Sequence, residues 1–198
     1  MVGNILMDTL RFNHQRFARP AVMDNLGLTE KRYIVFTLNR KAIIGNDDEL
    51  RALLVSMMSH TGDIPVVAPL RQLAADAVQC IVNENPLLFE NLHIVEPLDY
   101  LHFGYLTANA LGVVTDSGNV AEEATFNTVP CITLNSYTEH IETVKVGSNV
   151  LVGEDPVLLG EEMARMVDGK WKHCGIPERW DGRSAERIVQ TLLECAAK

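Results

Sequence analysis

Five short runs of mainly branched and aromatic apolar residues recur along the chain with little polar alternation: Tyr33–Leu38, Ile64–Pro69, Leu92–Pro97, Ala110–Thr115 and Val129–Leu134. A strand with one wet face would alternate, so these runs fit strands buried on both faces. Segments of helical length separate or follow them at Asp47–His60, Arg71–Val82, Asp99–Asn109, Asn119–Phe126, Pro156–Val167 and Ser184–Ala196. A β-α-β-α order predicts an α/β fold, a parallel sheet with helices on both faces. Ligands in such a sheet bind where loops leave the carboxyl ends of the strands, so chemistry is expected just after each run.

Charge and hydropathy narrow the partners. With 26 acidic against 17 basic side chains and no basic cluster, the chain lacks the positive face that a phosphate backbone needs, and DNA and RNA are not expected as partners. No run approaches the roughly 20 apolar residues of a membrane helix. The Met1-Val2-Gly3-Asn4 start is not a secretory leader, so a cytoplasmic protein without membrane attachment is expected. Cys80, Cys131, Cys174 and Cys195 are scattered, and no two histidines have metal-ligand spacing, so reduced thiols and no bound metal are expected.

The ends of the chain differ from its middle. Residues 1–30 precede the first strand and carry helical spacing at Ile5, Leu6, Leu10 and Phe17, which suggests a connector helix region. Residues 31–183 hold the strand and helix alternation. In residues 184–198, Ile188, Val189, Leu192 and Leu193 form an apolar helical stripe whose partner is not obvious within the chain.

The most informative stretch runs from Val113 to Ala124. A buried strand ends at Thr115, a small-residue turn follows at Ser117-Gly118, and a helix begins near Asn119. This geometry puts backbone N–H groups and the positive end of a helix dipole at a strand's carboxyl edge, where a phosphate can be held. Gly118 lets the backbone approach an anion, and the Ser117 hydroxyl adds a donor. The alternative is a plain capped turn, with Asn119 as cap and Glu122 closing a capping box. That alternative leaves Glu123 unassigned, and a carboxylate there could accept hydrogen bonds from a ribose diol. Phe103, after the third strand, could stack on a base or, sharing helical spacing with Tyr100, belong to the core. Asn39-Arg40-Lys41 follows the first strand and is either a solvated loop or part of the cleft.

Four ordered segments bring a resemblance. Thr115-Asp116-Ser117-Gly118-Asn119-Val120-Ala121-Glu122-Glu123-Ala124, Thr138-Glu139-His140-Ile141-Glu142, Gly147 to Gly153 and Asp181 to Ile188 resemble the closing motifs of the non-hydrolysing UDP-N-acetylglucosamine 2-epimerases, C-terminal lobe. The resemblance implies a Rossmann-like lobe of a glycosyltransferase-B-type pair. It implies that UDP or UDP-N-acetylglucosamine is the ligand, with no cofactor, and that a homodimer forms. It assigns Leu98 and Phe103 to the uracil, Ser117, Gly118 and Asn119 to the diphosphate, and Glu123 to the ribose. It also implies an N-terminal lobe, not found in these 198 residues, that supplies most acid–base carboxylates and receives the final helix. Inversion at C2 by elimination and re-addition of UDP would then need both lobes; the alternatives are a divergent UDP-2-acetamido-sugar epimerase or hydrolase, or a non-catalytic UDP-sugar-binding module. Three positions depart from the pattern. Asn39 stands where the family has a catalytic histidine, Leu70-Arg71 replaces a second histidine, and Asn135 replaces an arginine.

Overall fold

A computed structural model describes residues 1–197; Lys198, the last residue of the 184–198 segment, lies outside the described residues. The chain opens with α1 (Ile5–Asn13), a 3-10 turn and α2 (Ala21–Asn25). It then alternates β1 (Ile34–Thr37), α3 (Lys41–Ile44), α4 (Asp47–Ser59), β2 (Val66–Pro69), α5 (Gln72–Glu84), β3 (Leu92–Val95), α6 (Tyr100–Ala108), β4 (Gly112–Thr115) and α7 (Gly118–Phe126). The remaining elements are β5 (Cys131–Thr133), α8 (Glu142–Lys145), β6 (Asn149–Leu151), α9 (Pro156–Val167) and α10 (Ser184–Ala196).

All strand pairs are parallel, in the order β3-β2-β1-β4-β5-β6. The strands are two or three residues shorter than the apolar runs, because the hydrophobic side chains continue past the ladder into the turns. β6 has no counterpart among the expected strands. Side chains of alternate strand residues go to opposite faces. Ile34, Phe36 and Leu38 join α3, α4, α5 and α9 on one side, and Tyr33 and Val35 join α2, α6 and α7 on the other. The sheet is thus covered twice, which explains why its strands lack polar positions.

A third small cluster ties the ends together. Met7 and Leu10 of α1 are buried with Trp180. Asp8 accepts the N–H groups of Ser184 and Ala185, 2.9 and 2.8 Å away, at the start of α10. Gly3 has φ +101°, and a Cβ there would fall 2.3 Å from the Arg179 carbonyl oxygen, so this turn requires glycine. Phe17 lies so close over Gly104 of α6 that a Cβ would sit 2.5 Å from its ring. α10 is helical throughout, yet Val189, Leu192 and Leu193 are exposed; it does not fold its stripe onto its own lobe.

Candidate functional site

The strand order reverses between β1 and β4, and the loops that diverge there are joined by one carboxylate. Asp116 Oδ2 accepts the backbone N–H groups of Asn39 at 2.7 Å and Arg40 at 2.5 Å. Just below, the Thr37 and Thr115 hydroxyls meet at 2.7 Å, and Thr115 Oγ1 accepts the Ser117 N–H at 3.0 Å. Asn135, beyond β5, donates to the Asp116 carbonyl at 2.9 Å and accepts from Arg40 Nη1 at 3.2 Å. The Arg40 guanidinium also pairs with Glu154 at 2.6 Å. Asn135 therefore does not leave this corner without a cation: Arg40, in the loop after β1, reaches it.

α7 begins at this reversal. Its cap residue is Ser117, and no side chain caps it. By contrast α1, α4, α6 and α9 are capped by Asn4, Asn46, Asp99 and Asp155. The capping-box alternative fails on both members. Asn119 is an exposed residue of the first turn, and Glu122 is buried. Glu122 faces inward, accepting a hydrogen bond from Asn4 Nδ2 and lying 3.3 Å from His140 Nδ1. Gly118 has neither positive φ nor a neighbour within 4 Å of a would-be Cβ. Neither backbone conformation nor packing within the chain calls for glycine there; it leaves open space before the helix terminus.

That space is part of a pocket of about 240 Å3 lined by Gly118 and Asn119 on one side and Tyr137 to His140 on the other. Thr133 and Asn149 also line it. Thr133 Oγ1 donates to Asn149 Oδ1 at 2.6 Å, Asn149 Nδ2 donates to Thr143 Oγ1 at 3.2 Å, and Thr143 Oγ1 donates to the His140 carbonyl at 2.8 Å. A buried polar chain thus fixes the loop that walls the pocket.

Glu123, the next residue of α7, is 8% exposed. Its carboxyl has no hydrogen-bond partner among the described residues. Burial first, and the neighbouring Glu122 second, push it up to about 7. Partial burial of Tyr100 pushes its phenol up, and the neighbouring Glu123 carboxylate adds to that. Tyr100 makes an edge contact with Phe17 at 6.1 Å between ring centroids.

Of the expected site residues, Ser117, Gly118, Asn119 and Glu123 are gathered in the first two turns of α7. Asn39 stands across the reversal from them, bridged by Asp116. Leu98 and Phe103 are half-buried against the cluster that also holds Val120, Ala121 and Ala124 of α7, and they do not line the 240 Å3 pocket. Phe103 therefore has the core contacts that its spacing with Tyr100 suggested. Asp116, Thr133 and Asn149 had no assigned role in the sequence; their parts depend on contacts between distant strands.

The family model for UDP-N-acetylglucosamine 2-epimerase matches residues 1–193. The chain is 44% identical over 105 residues to a UDP-N-acetylglucosamine 2-epimerase of Methanocaldococcus jannaschii, covering 52% of this chain and 28% of that protein. It is 32% identical over 195 residues to a UDP-2,3-diacetamido-2,3-dideoxy-D-glucuronate 2-epimerase of Pseudomonas aeruginosa, covering 98% of this chain and 52% of the relative. The solved structure of the M. jannaschii UDP-GlcNAc 2-epimerase in complex with UDP-GlcNAc and UDP superposes with a TM-score of 0.75 at 28% identity, over 96% of this chain and 54% of that one. The chain thus spans about half the length of relatives that it matches from end to end. Its sheet and helices form a Rossmann-like lobe of the glycosyltransferase-B type. By the extent of the family match and the shared fold, the chain belongs to the UDP-N-acetylglucosamine 2-epimerase family.

Proposed function

We propose that this chain is the UDP-binding lobe of a cytoplasmic UDP-sugar 2-epimerase, with the sugar held against an N-terminal lobe that completes the active site. The observation that carries this reading is the open space at Gly118, before a helix terminus that no side chain caps. Backbone N–H groups and the helix dipole at that point suit the diphosphate, with Ser117 and Asn119 adding side-chain donors. Glu123 would accept the ribose hydroxyls, and Leu98 and Phe103 would border the uracil, Phe103 by stacking. Because these two residues also pack into the core, Phe103→Ala would loosen α6 as well as remove the stack.

The reaction that fits is inversion at C2: the C2 proton is removed, UDP leaves from C1, and both return with the proton on the opposite face. That sequence needs an acid and a base on opposite faces of the sugar. Among the residues of this chain at the β1 and β4 ends, Asn39 cannot serve as either, and Asp116 has Oδ2 committed to backbone N–H groups and Oδ1 buried. The family resemblance assigns the proton-transfer groups largely to the N-terminal lobe, and on that reading this chain by itself is inactive. UDP-N-acetylglucosamine, giving UDP-N-acetylmannosamine for surface-polysaccharide synthesis, is the first substrate to test. Likeness to the Pseudomonas enzyme over nearly the whole chain favours, as a second reading, another UDP-2-acetamido sugar.

The test is a calorimetric titration of UDP into the chain. Binding is expected, weakened about tenfold or more by Glu123→Ala and by Phe103→Ala, the scale of a lost base stack or charged hydrogen bond. No heat or NMR signal at millimolar UDP, or parental affinity in both variants, would refute the assignment.

A further inference from the structure

Glu123 is the one member of the proposed nucleotide site whose ionisation the surrounding chain opposes. It is 8% exposed, it has no hydrogen-bond partner among the described residues, and its helix neighbour Glu122 is also buried and acidic. A carboxylate on a side chain set this deep, with no protein donor beside it, is disfavoured, and keeping the proton avoids that cost. The surrounding charges leave that conclusion unchanged. From α6 the group facing it is the Tyr100 phenol, which is neutral at physiological pH. On its own helix Glu122 adds negative charge. The partners that arrive from α1, from the loop before α8 and from α8 itself, namely Asn4, His140 and Glu142, act on Glu122. None of the salt bridges among the described residues brings Lys or Arg to Glu123.

Resting on the nucleotide-site reading, we propose that Glu123 holds a proton in the free protein and that docking of a UDP-sugar is coupled to its release. The carboxylic O–H loses its proton to solvent, and the carboxylate so formed accepts a hydrogen bond from each of the two ribose hydroxyls. The ligand supplies the donors that the protein withholds, so the ionised form becomes the favoured one only in the complex. Binding-competent protein is then the fraction with Glu123 ionised, and apparent affinity scales with that fraction.

The experiment is isothermal titration of UDP-N-acetylglucosamine into the chain, in buffers of differing ionisation enthalpy, between about pH 6 and about pH 8. This ligand is used in place of UDP because its diphosphate has no terminal phosphate titrating near neutrality. With the carboxyl near 7 in the free protein, affinity should rise about tenfold across that range, with net proton release on the acidic side. The comparison is with Glu123→Gln, which leaves the other residues of the adjoining pocket unchanged. The variant should lose the proton release and the tenfold rise. Binding whose pH profile and proton count are the same in parent and variant would overturn the proton linkage and leave the nucleotide site standing. No binding by the parent at any pH would overturn the site and the linkage together.

Discussion

The carboxyl edge of the sheet has two unequal halves. On the β4 side, α7 starts without a side-chain cap, Gly118 leaves room before it, a hydrogen-bonded polar chain anchors the facing loop, and a buried carboxyl waits without a partner. On the β1 and β2 side the side chains are Asn39, Arg40 and Arg71, and the one elaborate feature, the Asp116 bridge, is spent on backbone groups. One half has the layout that we propose for an anionic ligand, and the other carries Asn39 and Leu70-Arg71 where the family pattern has histidines. On the proposed reading, the nucleotide site depends on one helix and its immediate surroundings, whereas the groups that move protons at the sugar are divided between two lobes and can shift from one to the other.

Turnover is the severest way to break that contrast. Purified chain incubated with UDP-N-acetylglucosamine should form no UDP-N-acetylmannosamine by NMR; acid–base groups contribute about 10²- to 10⁴-fold each, and the proposed reading places them on the other lobe. Turnover here would place the proton-transfer groups on this lobe after all. The contrast is sharpened in the longer protein by Asn39→His: a gain of about 10²-fold would mark the β1 edge as deficient, and no gain would mean that its chemistry has been replaced elsewhere.

The bridge that joins the two halves should show next. Asp116→Ala removes the acceptor of two backbone N–H groups and should cost about 2 to 3 kcal/mol, the scale for hydrogen bonds to a charged group. In a chain of this size that lowers Tm by about 5 to 10 °C in a thermal melt. Asp116→Asn retains an acceptor oxygen and should lose less than half as much. Equal Tm in the alanine variant would mean that the two loops are held by Thr37, Thr115 and Asn135 without it.

Local signals in the sequence carried well and non-local ones did not. The limits of α9 and α10 agree with their periodicity, and the Ser117-Gly118-Asn119 turn is where a strand run meets a helical one. β6 escaped notice because it is three residues long and begins with Asn149, a polar residue whose burial makes sense only beside Thr133 and Thr143. Asn119 and Glu122 have the spacing of a capping box, yet Glu122 turns toward Asn4, 118 residues away. The hydrogen-bond demand that decides this position comes from α1 and from His140, neither of which a window around α7 contains.

Stability against pH separates the β4 half from its rival in a further way. For Glu123 the folded-state value near 7 lies above the ordinary 4.5. The folded protein therefore binds more protons between these values, and this group's contribution is fully present below 4.5 and lost as pH rises through about 7. The difference corresponds to about 3 kcal/mol at full effect, as an upper figure. Glu123→Gln should thus melt at about the parental temperature near pH 4 and above it near pH 8, by up to about 3 kcal/mol in denaturant unfolding, while binding nucleotide less well. A variant less stable than the parent at pH 8 would mean that the carboxylate has a partner in solution.

The smallest effect concerns a face that qualifies the completeness of the β4 half. α10 is fastened to α1 through Asp8, and α1 to α7 through Asn4 and Glu122, so it belongs structurally to that half. Its Val189, Leu192 and Leu193 are 55%, 63% and 62% exposed, the stripe that we expect to meet the N-terminal lobe. Left open on this chain, the stripe should drive self-association, since contiguous apolar faces are rarely left bare by monomers. Three exposed side chains cannot bury the roughly 1,200 Å2 of a standard interface, so the association should be weak and visible only at high concentration. Light scattering on the parent and on Leu192→Lys decides it: a concentration-dependent rise in mass that the lysine abolishes is the expected result. A parent that stays monomeric throughout would show that the stripe is tolerated in water, and the case for α10 as a lobe-docking helix would then rest on the longer protein alone.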